Sequence, residues 1–163
     1  VIRMVENLTI KGAGSDEVNI LAAPRYANVI YFMNCSNVSV EGFTAGHTEQ
    51  QGECSGGVLY FDCCSNTSIS DVKLFGCGTV GVMGGYCSGI NIKNSEIYDC
   101  TNMGIILSSC SNINLDNMQV HDNYADIYCL YDCENAFITN CGAREDHPVE
   151  YRIYNCSNIK IVG

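Results

Sequence analysis

Residues 87–115 read CSGINIKNSEIYDCTNMGIILSSCSNINL, and this stretch decides the fold. Its opening tripeptide, Cys87-Ser88-Gly89, returns as Cys110-Ser111-Asn112 after one 23-residue step. Further copies on both sides begin at Val5, Cys35, Cys64, Cys133 and Cys156. The step is 30 residues from Val5 to Cys35, 29 residues from Cys35 to Cys64, and 23 residues from there on. Seven copies in one phase predict a solenoid in which each repeat is one structural unit.

Short β-segments alternate with tight bends inside each repeat. Three and five residues after the repeated position the side chains are apolar, as at Ile90 and Ile92, and this period of two is typical of strands. Asparagine or glycine follows, as at Asn94, and both tolerate left-handed backbone at turns. The pattern predicts an all-β fold, a single-stranded right-handed parallel β-helix of about seven partial 23-residue rungs, forming one domain over residues 1–163.

Composition and charge exclude several classes of function. The chain carries 8 Lys+Arg against 18 Asp+Glu, and a net charge of −10 repels phosphate backbones, so nucleic acid is not an expected partner. No apolar run is long enough for a membrane span. Because residue 1 is Val and no signal peptide is recognisable, we expect a mature product or a fragment of a longer chain.

Twelve cysteines first suggest a disulfide scaffold. Six of them share the repeated position, so we expect a cysteine ladder with one thiol in each rung. Three interpretations remain open for these thiols: they fill a tight interior bend, they form disulfides between rungs, or they bind metal. Cys54 lies off this column, in an insert at residues 47–54, and is the candidate for a specific disulfide or a reactive thiol.

The rung pattern CSNI-x-I…N resembles the parallel β-helix repeat of the pectin-lyase-like superfamily, and residues 46–82 resemble segments of bacterial secreted β-helix proteins. The resemblance implies the fold and leaves function open, because this fold hosts lyases, hydrolases, isomerases, adhesins and scaffolds. It implies no catalytic residue. The Gly-His-Gly and Arg-Ile-Lys motifs of the superfamily's polygalacturonases are met only by Gly46-His47-Thr48 and Arg152-Ile153-Tyr154.

Tyrosines recur two and four residues before the repeated position, in the phase that points outward from the rod. An outward row of tyrosines can stack against sugar rings, because each ring offers an apolar face with a polar rim. The alternative is that tyrosine is simply a good strand former. The predicted ligand-binding residues are Tyr31, Tyr60, Tyr131, Tyr154 and Arg152.

Acidic residues and histidines supply the candidates for catalysis and for metal binding. A carboxylate pair can perform acid–base chemistry on a glycosidic bond, and stacked carboxylates can bind Ca²⁺. The alternative is that these acids are solvated turn residues. The catalytic candidates are His47, Glu49, Asp62, Asp99, Asp122 and His121. The candidates for Ca²⁺ are Asp99, Asp122, Glu145 and Asp146, and no other cofactor is expected.

Two classes of function follow from these observations. The first is a non-catalytic secreted or cell-surface module, used as a scaffold or for recognition of a polysaccharide, a cell-surface glycan or another partner. Its bare terminal strand also suggests association end to end. The alternative is a carbohydrate-active enzyme, a polysaccharide lyase or glycoside hydrolase. The absence of a matching catalytic motif favours the first class.

Overall fold

The computed structural model describes residues 1–24, 26–48, 55–76, 79–143 and 149–163. This part of the chain contains strands, turns and bends and no helix, so it has no helix that could cross a membrane. The strands are β1 (Ile2–Arg3), β2 (Glu6–Lys11), β3 (Asn19–Ala22), β4 (Ile30–Met33), β5 (Ser36–Glu41), β6 (Thr44–His47), β7 (Leu59–Asp62), β8 (Ser65–Ser70), β9 (Lys73–Phe75), β10 (Val80–Gly85), β11 (Ser88–Tyr98), β12 (Met103–Ser108), β13 (Ser111–His121), β14 (Ala125–Tyr131), β15 (Glu134–Thr139), β16 (Glu150–Tyr154) and β17 (Ser157–Val162).

The strands form a parallel solenoid with three faces. The first sheet has seven strands in the order β1-β4-β7-β10-β12-β14-β16, so about six turns of the chain separate its two edges. The second sheet follows the order β2-β5-β8-β11-β13-β15-β17. A third face contains β3, β6 and β9, and the later halves of β11 and β13 continue it. The 23-residue spacing becomes the strand register, with Ile90 opposite Ile113. The predicted all-β parallel solenoid is confirmed.

Left-handed residues turn the chain at the corners between faces. Asn94 (φ 48°) bends β11 from the second sheet to the third face, and Asn117 (φ 52°) bends β13 in the same way. Asparagine suits these positions because its short polar side chain tolerates the left-handed region and bonds locally. The Asn117 amide nitrogen donates to the Asn94 amide oxygen at 2.9 Å. The high asparagine content therefore reflects repeated corners.

The core runs along the rod axis and contains one layer of apolar side chains for each rung. On the first sheet Phe32 and Phe61 alternate with outer residues, are 0% and 2% exposed, and stack with ring centroids 4.7 Å apart. Ile92 and Leu107 are fully buried in later rungs. Each rung thus covers its neighbour's apolar side chains, as the sequence alternation predicts.

The repeated cysteines occupy the bend between the first and second sheets. Five of the six are buried, Cys156 is half-buried, and all ten cysteines in the described residues are free. Each of the six thiols donates to the carbonyl two residues earlier, as Cys133 does to Tyr131 at 3.2 Å. These contacts agree with the interpretation that the thiols fill the interior, and a continuous ladder stays a prediction. Cys54 lies outside the described residues.

Candidate functional site

The outer surface of the first sheet carries the predicted tyrosines as two stacked pairs. Strand register places Tyr31 beside Tyr60, and their ring centroids lie 4.6 Å apart with planes inclined by 8°. Three rungs further along, Tyr131 and Tyr154 stack at 5.0 Å and 10°. Neighbouring rungs pair the residues of each stack, so the aromatic spacing follows from the rung spacing of about 4.8 Å.

Asp62 organises the polar edge of the first tyrosine pair. The Tyr31 hydroxyl donates to Asp62 Oδ2 at 3.1 Å, and the Cys63 thiol donates to Asp62 Oδ1 at 3.5 Å. Burial and then the bond to Asp62 raise the pKa of Tyr31 to about 12. The phenol therefore stays protonated at physiological pH and donates to the carboxylate. Among the predicted catalytic residues, only Asp62 lies on this surface in the described part of the chain.

An ion pair lies beside the second tyrosine pair. Arg152 Nε contacts Glu150 Oε1 at 2.6 Å, and strand register places Arg152 next to Cys129. The Cys129 thiol is fully buried although it points away from the core, and this burial raises its pKa. Tyr131 and Tyr154 remain 37% and 50% exposed, so this pair can contact a ligand.

His121 forms the centre of a second cluster on the third face. Its Nε2 lies 2.8 Å from Glu96 Oε1, and its Nδ1 lies 2.9 Å from Asp122 Oδ2. Burial lowers the pKa of His121, but the hydrogen bonds to Asp122 and Glu96 outweigh it and raise the pKa overall. Asp99 and Asp122 are both corner residues with φ of 55°. The cluster holds the imidazole between two carboxylates, so neither ring nitrogen is open in this arrangement.

Sequence reasoning missed the aromatic stack beside this cluster. Phe75, Tyr98 and His121 stack in successive rungs with centroid separations of 5.7 Å. Their 23-residue spacing was visible in the sequence, but three different residue types concealed the column. Next to it lies a shallow recess of about 440 Å³ whose lining includes Lys73 and Glu96. Lys73 is paired with Asp16 at 2.7 Å.

The remaining candidates are separated from both clusters or lie outside the described residues. His47 is 1% exposed, and its Nε2 lies 2.7 Å from the Ala27 carbonyl, so it links the end of β6 to the segment between β3 and β4 from inside. Glu49, Glu145 and Asp146 fall outside the described residues. Within the described ranges no three His, Cys, Asp or Glu side chains are placed to hold a metal ion. The structure therefore divides the catalytic candidates between two faces and the interior.

Comparison with known proteins identifies the fold. A family model described as "Right handed beta helix region" matches residues 56–163, which is more than half of the chain. The match makes the solenoid right-handed, as predicted, and it is consistent with a pectin-lyase-like fold. No curated protein and no solved structure matches the chain.

Proposed function

We propose that this chain, which belongs to the right-handed beta helix family, is a non-catalytic module that recognises a glycan on the outer surface of its first sheet. One observation carries the proposal: two stacked tyrosine pairs lie three rungs apart on a single surface. Stacked aromatic residues on a rigid sheet offer a preorganised contact surface, which lowers the entropy lost on binding.

The charge of the chain favours a neutral glycan. A net charge of −10 repels uronic acids, and Asp62 adds a carboxylate beside the first tyrosine pair. Arg152, the cation beside the second pair, already contacts Glu150. Hydroxyl groups of a neutral sugar can donate to the carboxylate and accept from the tyrosine hydroxyls. We therefore propose a neutral polysaccharide or cell-surface glycan as the partner.

A secreted or cell-surface location belongs to the same proposal. Buried thiols fit such a location, because burial keeps them from oxidation. The hydrogen bond to Cys110 and, to a smaller extent, burial raise the pKa of Cys87 to about 12, although the hydrogen bond to Cys64 lowers it. A scaffolding role and end-to-end association stay predictions. Light scattering coupled to size-exclusion chromatography tests association, and a monomer over a wide concentration range contradicts it.

The alternative is a polysaccharide lyase or glycoside hydrolase, and the His121–Glu96–Asp122 cluster is the observation that favours it. Incubation with a polysaccharide panel, with and without Ca²⁺, tests for unsaturated or reducing-end products. Product formation that is lost in Asp122→Asn or Asp99→Asn assigns an enzyme. Absence of product together with glycan binding supports the recognition module.

Affinity electrophoresis through gels containing soluble polysaccharides tests the proposed recognition. We expect retardation by at least one neutral polysaccharide. The double variants Tyr31→Ser/Tyr60→Ser and Tyr131→Ser/Tyr154→Ser lose it. The control is Tyr124→Ser, because Tyr124 is 87% exposed and lies outside the strands of the first sheet. Retardation that both double variants keep would place the binding surface elsewhere.

A further inference from the structure

The tyrosine rings stand across the rod, so their open faces look along its axis. Tyr131 and Tyr154 belong to neighbouring rungs, and their planes differ by only 10°. One face of Tyr131 is therefore covered by Tyr154. The opposite face is directed toward the preceding rung, where strand register places Ser108. A sugar ring cannot lie flat over both rings of the pair, and the face available for stacking is at the end of the stack.

The rungs before Tyr131 leave a notch in this column of side chains. In this column the strand register aligns Asp62, Gly85, Ser108 and Tyr131 in four successive rungs. A Cβ atom placed on Gly85 would meet only Asp62 Oδ1 within 4 Å, at 3.9 Å, so the space above Gly85 is open. Three rung spacings of about 4.8 Å separate Asp62 from Tyr131, so their backbones are about 14 Å apart along the rod and the notch lies between them.

The walls of the notch match a sugar ring. Met83 and Ile106 occupy the adjacent outer column and are half-buried, so they form an apolar side. Strand register places Ser108 on the floor, and Asp62 stands at the end opposite Tyr131. A carboxylate has about four acceptor positions, so Asp62 can receive sugar hydroxyls besides Tyr31 and Cys63. The pattern is an aromatic face, an apolar side and polar ends.

We propose that the notch formed by Asp62, Gly85, Ser108 and Tyr131 binds one pyranose ring of a neutral glycan, stacked on the open face of Tyr131. The ring takes the place that a further tyrosine would occupy in the column. Because the ring lies parallel to Tyr131, the glycan chain crosses the rod along the strand direction and does not follow the rod axis. The inference rests on the proposed recognition function and specifies its site and ligand.

Filling the notch is the direct test. Ser108→Tyr extends the Tyr131–Tyr154 stack by one ring and occupies the site. The matched control is Ser68→Tyr, on the outer surface of the second sheet, where Ser68 pairs with Asn91. Tyr131→Ala removes the stacking face. Isothermal titration uses cellohexaose, mannohexaose, xylohexaose and laminarihexaose as neutral probes and oligogalacturonate as the anionic probe, and thermal melting confirms folding.

We expect one neutral probe to bind, with affinity at least about tenfold lower in Ser108→Tyr and in Tyr131→Ala and unchanged in Ser68→Tyr. If binding is unchanged in Ser108→Tyr but lost in Tyr31→Ser/Tyr60→Ser, the notch is not the binding site, although the proposed recognition function still holds. Preferred binding of oligogalacturonate overturns the neutral ligand. If neither these probes nor the polysaccharide gels show binding, the recognition function fails and the notch fails with it.

Discussion

Gly89 interrupts a row of stacked asparagines, and replacing it with asparagine tests whether that row stabilises the rod. Asn66 donates its amide to Asn37 at 3.1 Å on one side of the interruption, and Asn135 donates to Asn112 at 3.5 Å on the other. Gly89 has φ of 70°, close to the values of 52° and 55° at Asn66 and Asn112. Its backbone is therefore already suited to asparagine.

The expected gain comes from two hydrogen bonds and from the unfolded chain. An asparagine at this position can donate to Asn66 and accept from Asn112, at about 0.5 kcal/mol each for exposed groups at the low end of the usual range. Replacing glycine adds about 0.5 kcal/mol by restricting the unfolded state. The new Cβ would meet Asn66 Oδ1 at 2.9 Å, so the exposed Asn66 side chain must shift by a few tenths of an ångström, which is small enough for it to keep its hydrogen bond to Asn37. These contributions sum to about 1.5 kcal/mol, and the remaining strain of asparagine at a φ of 70° lowers the stabilisation that we expect from Gly89→Asn to about 1 kcal/mol.

Urea unfolding followed by circular dichroism measures this change, with Gly89→Ala as the control. Alanine has the same Cβ but no amide, and the left-handed backbone costs it about 1–2 kcal/mol. We expect the unfolding midpoint to rise in Gly89→Asn and to fall in Gly89→Ala at an unchanged slope. A fall of similar size in both variants would refute a stabilising role for the stacked amides.

Three further predictions concern single positions. Tyr86 has φ of 54° and is 73% exposed, so Tyr86→Asn should raise the melting temperature by about 2–4 °C, as expected for about 1 kcal/mol of relieved strain; an unchanged value contradicts this. Leu107→Ala should destabilise by about 2–5 kcal/mol in urea unfolding, because Leu107 is fully buried in the core; a loss below about 1 kcal/mol shows that the rung collapses around the gap. Because Glu96 and Asp122 raise the pKa of His121, its favourable contribution is present below the unfolded pKa of about 6.5 and is lost as pH rises through the folded value. The stability difference between the native chain and His121→Phe should therefore shrink as the pH rises above about 6.5, and a difference that does not change with pH refutes the pairing.

The sequence predicted the register because the repeat length is a direct measure of one turn. Ile90 and Ile113 are separated by one repeat and lie opposite each other, as the spacing requires. The outward phase of Tyr31 and Tyr60 followed from the same period of two. Fold class, register and burial are thus readable from spacing alone, since each rung repeats one environment.

The candidate site was less predictable because it depends on the positions at which a rung departs from the repeat pattern. The notch exists because Gly85 and Ser108, which are neighbours in the outward column, carry no large side chain. A search for candidate residues in a sequence finds side chains with a chemical role and overlooks a space that small residues leave. Ring orientation also depends on packing between rungs, which spacing does not specify. His47 illustrates a third difficulty: it lies in an insert, where the repeat gives no register, and its side chain is buried.

The uninterrupted pairing of β11 with β13 makes the rod extensible in whole units. A second copy of residues 88–110 contains one complete 23-residue turn, so it can be added between existing rungs without changing any corner. Each copy would move Tyr60 and Tyr131 apart by about 4.8 Å and would add another serine to the floor between them. The extent of the notch along the rod axis is therefore a property that duplication of a whole repeat can change, one rung at a time, while the strand register stays the same.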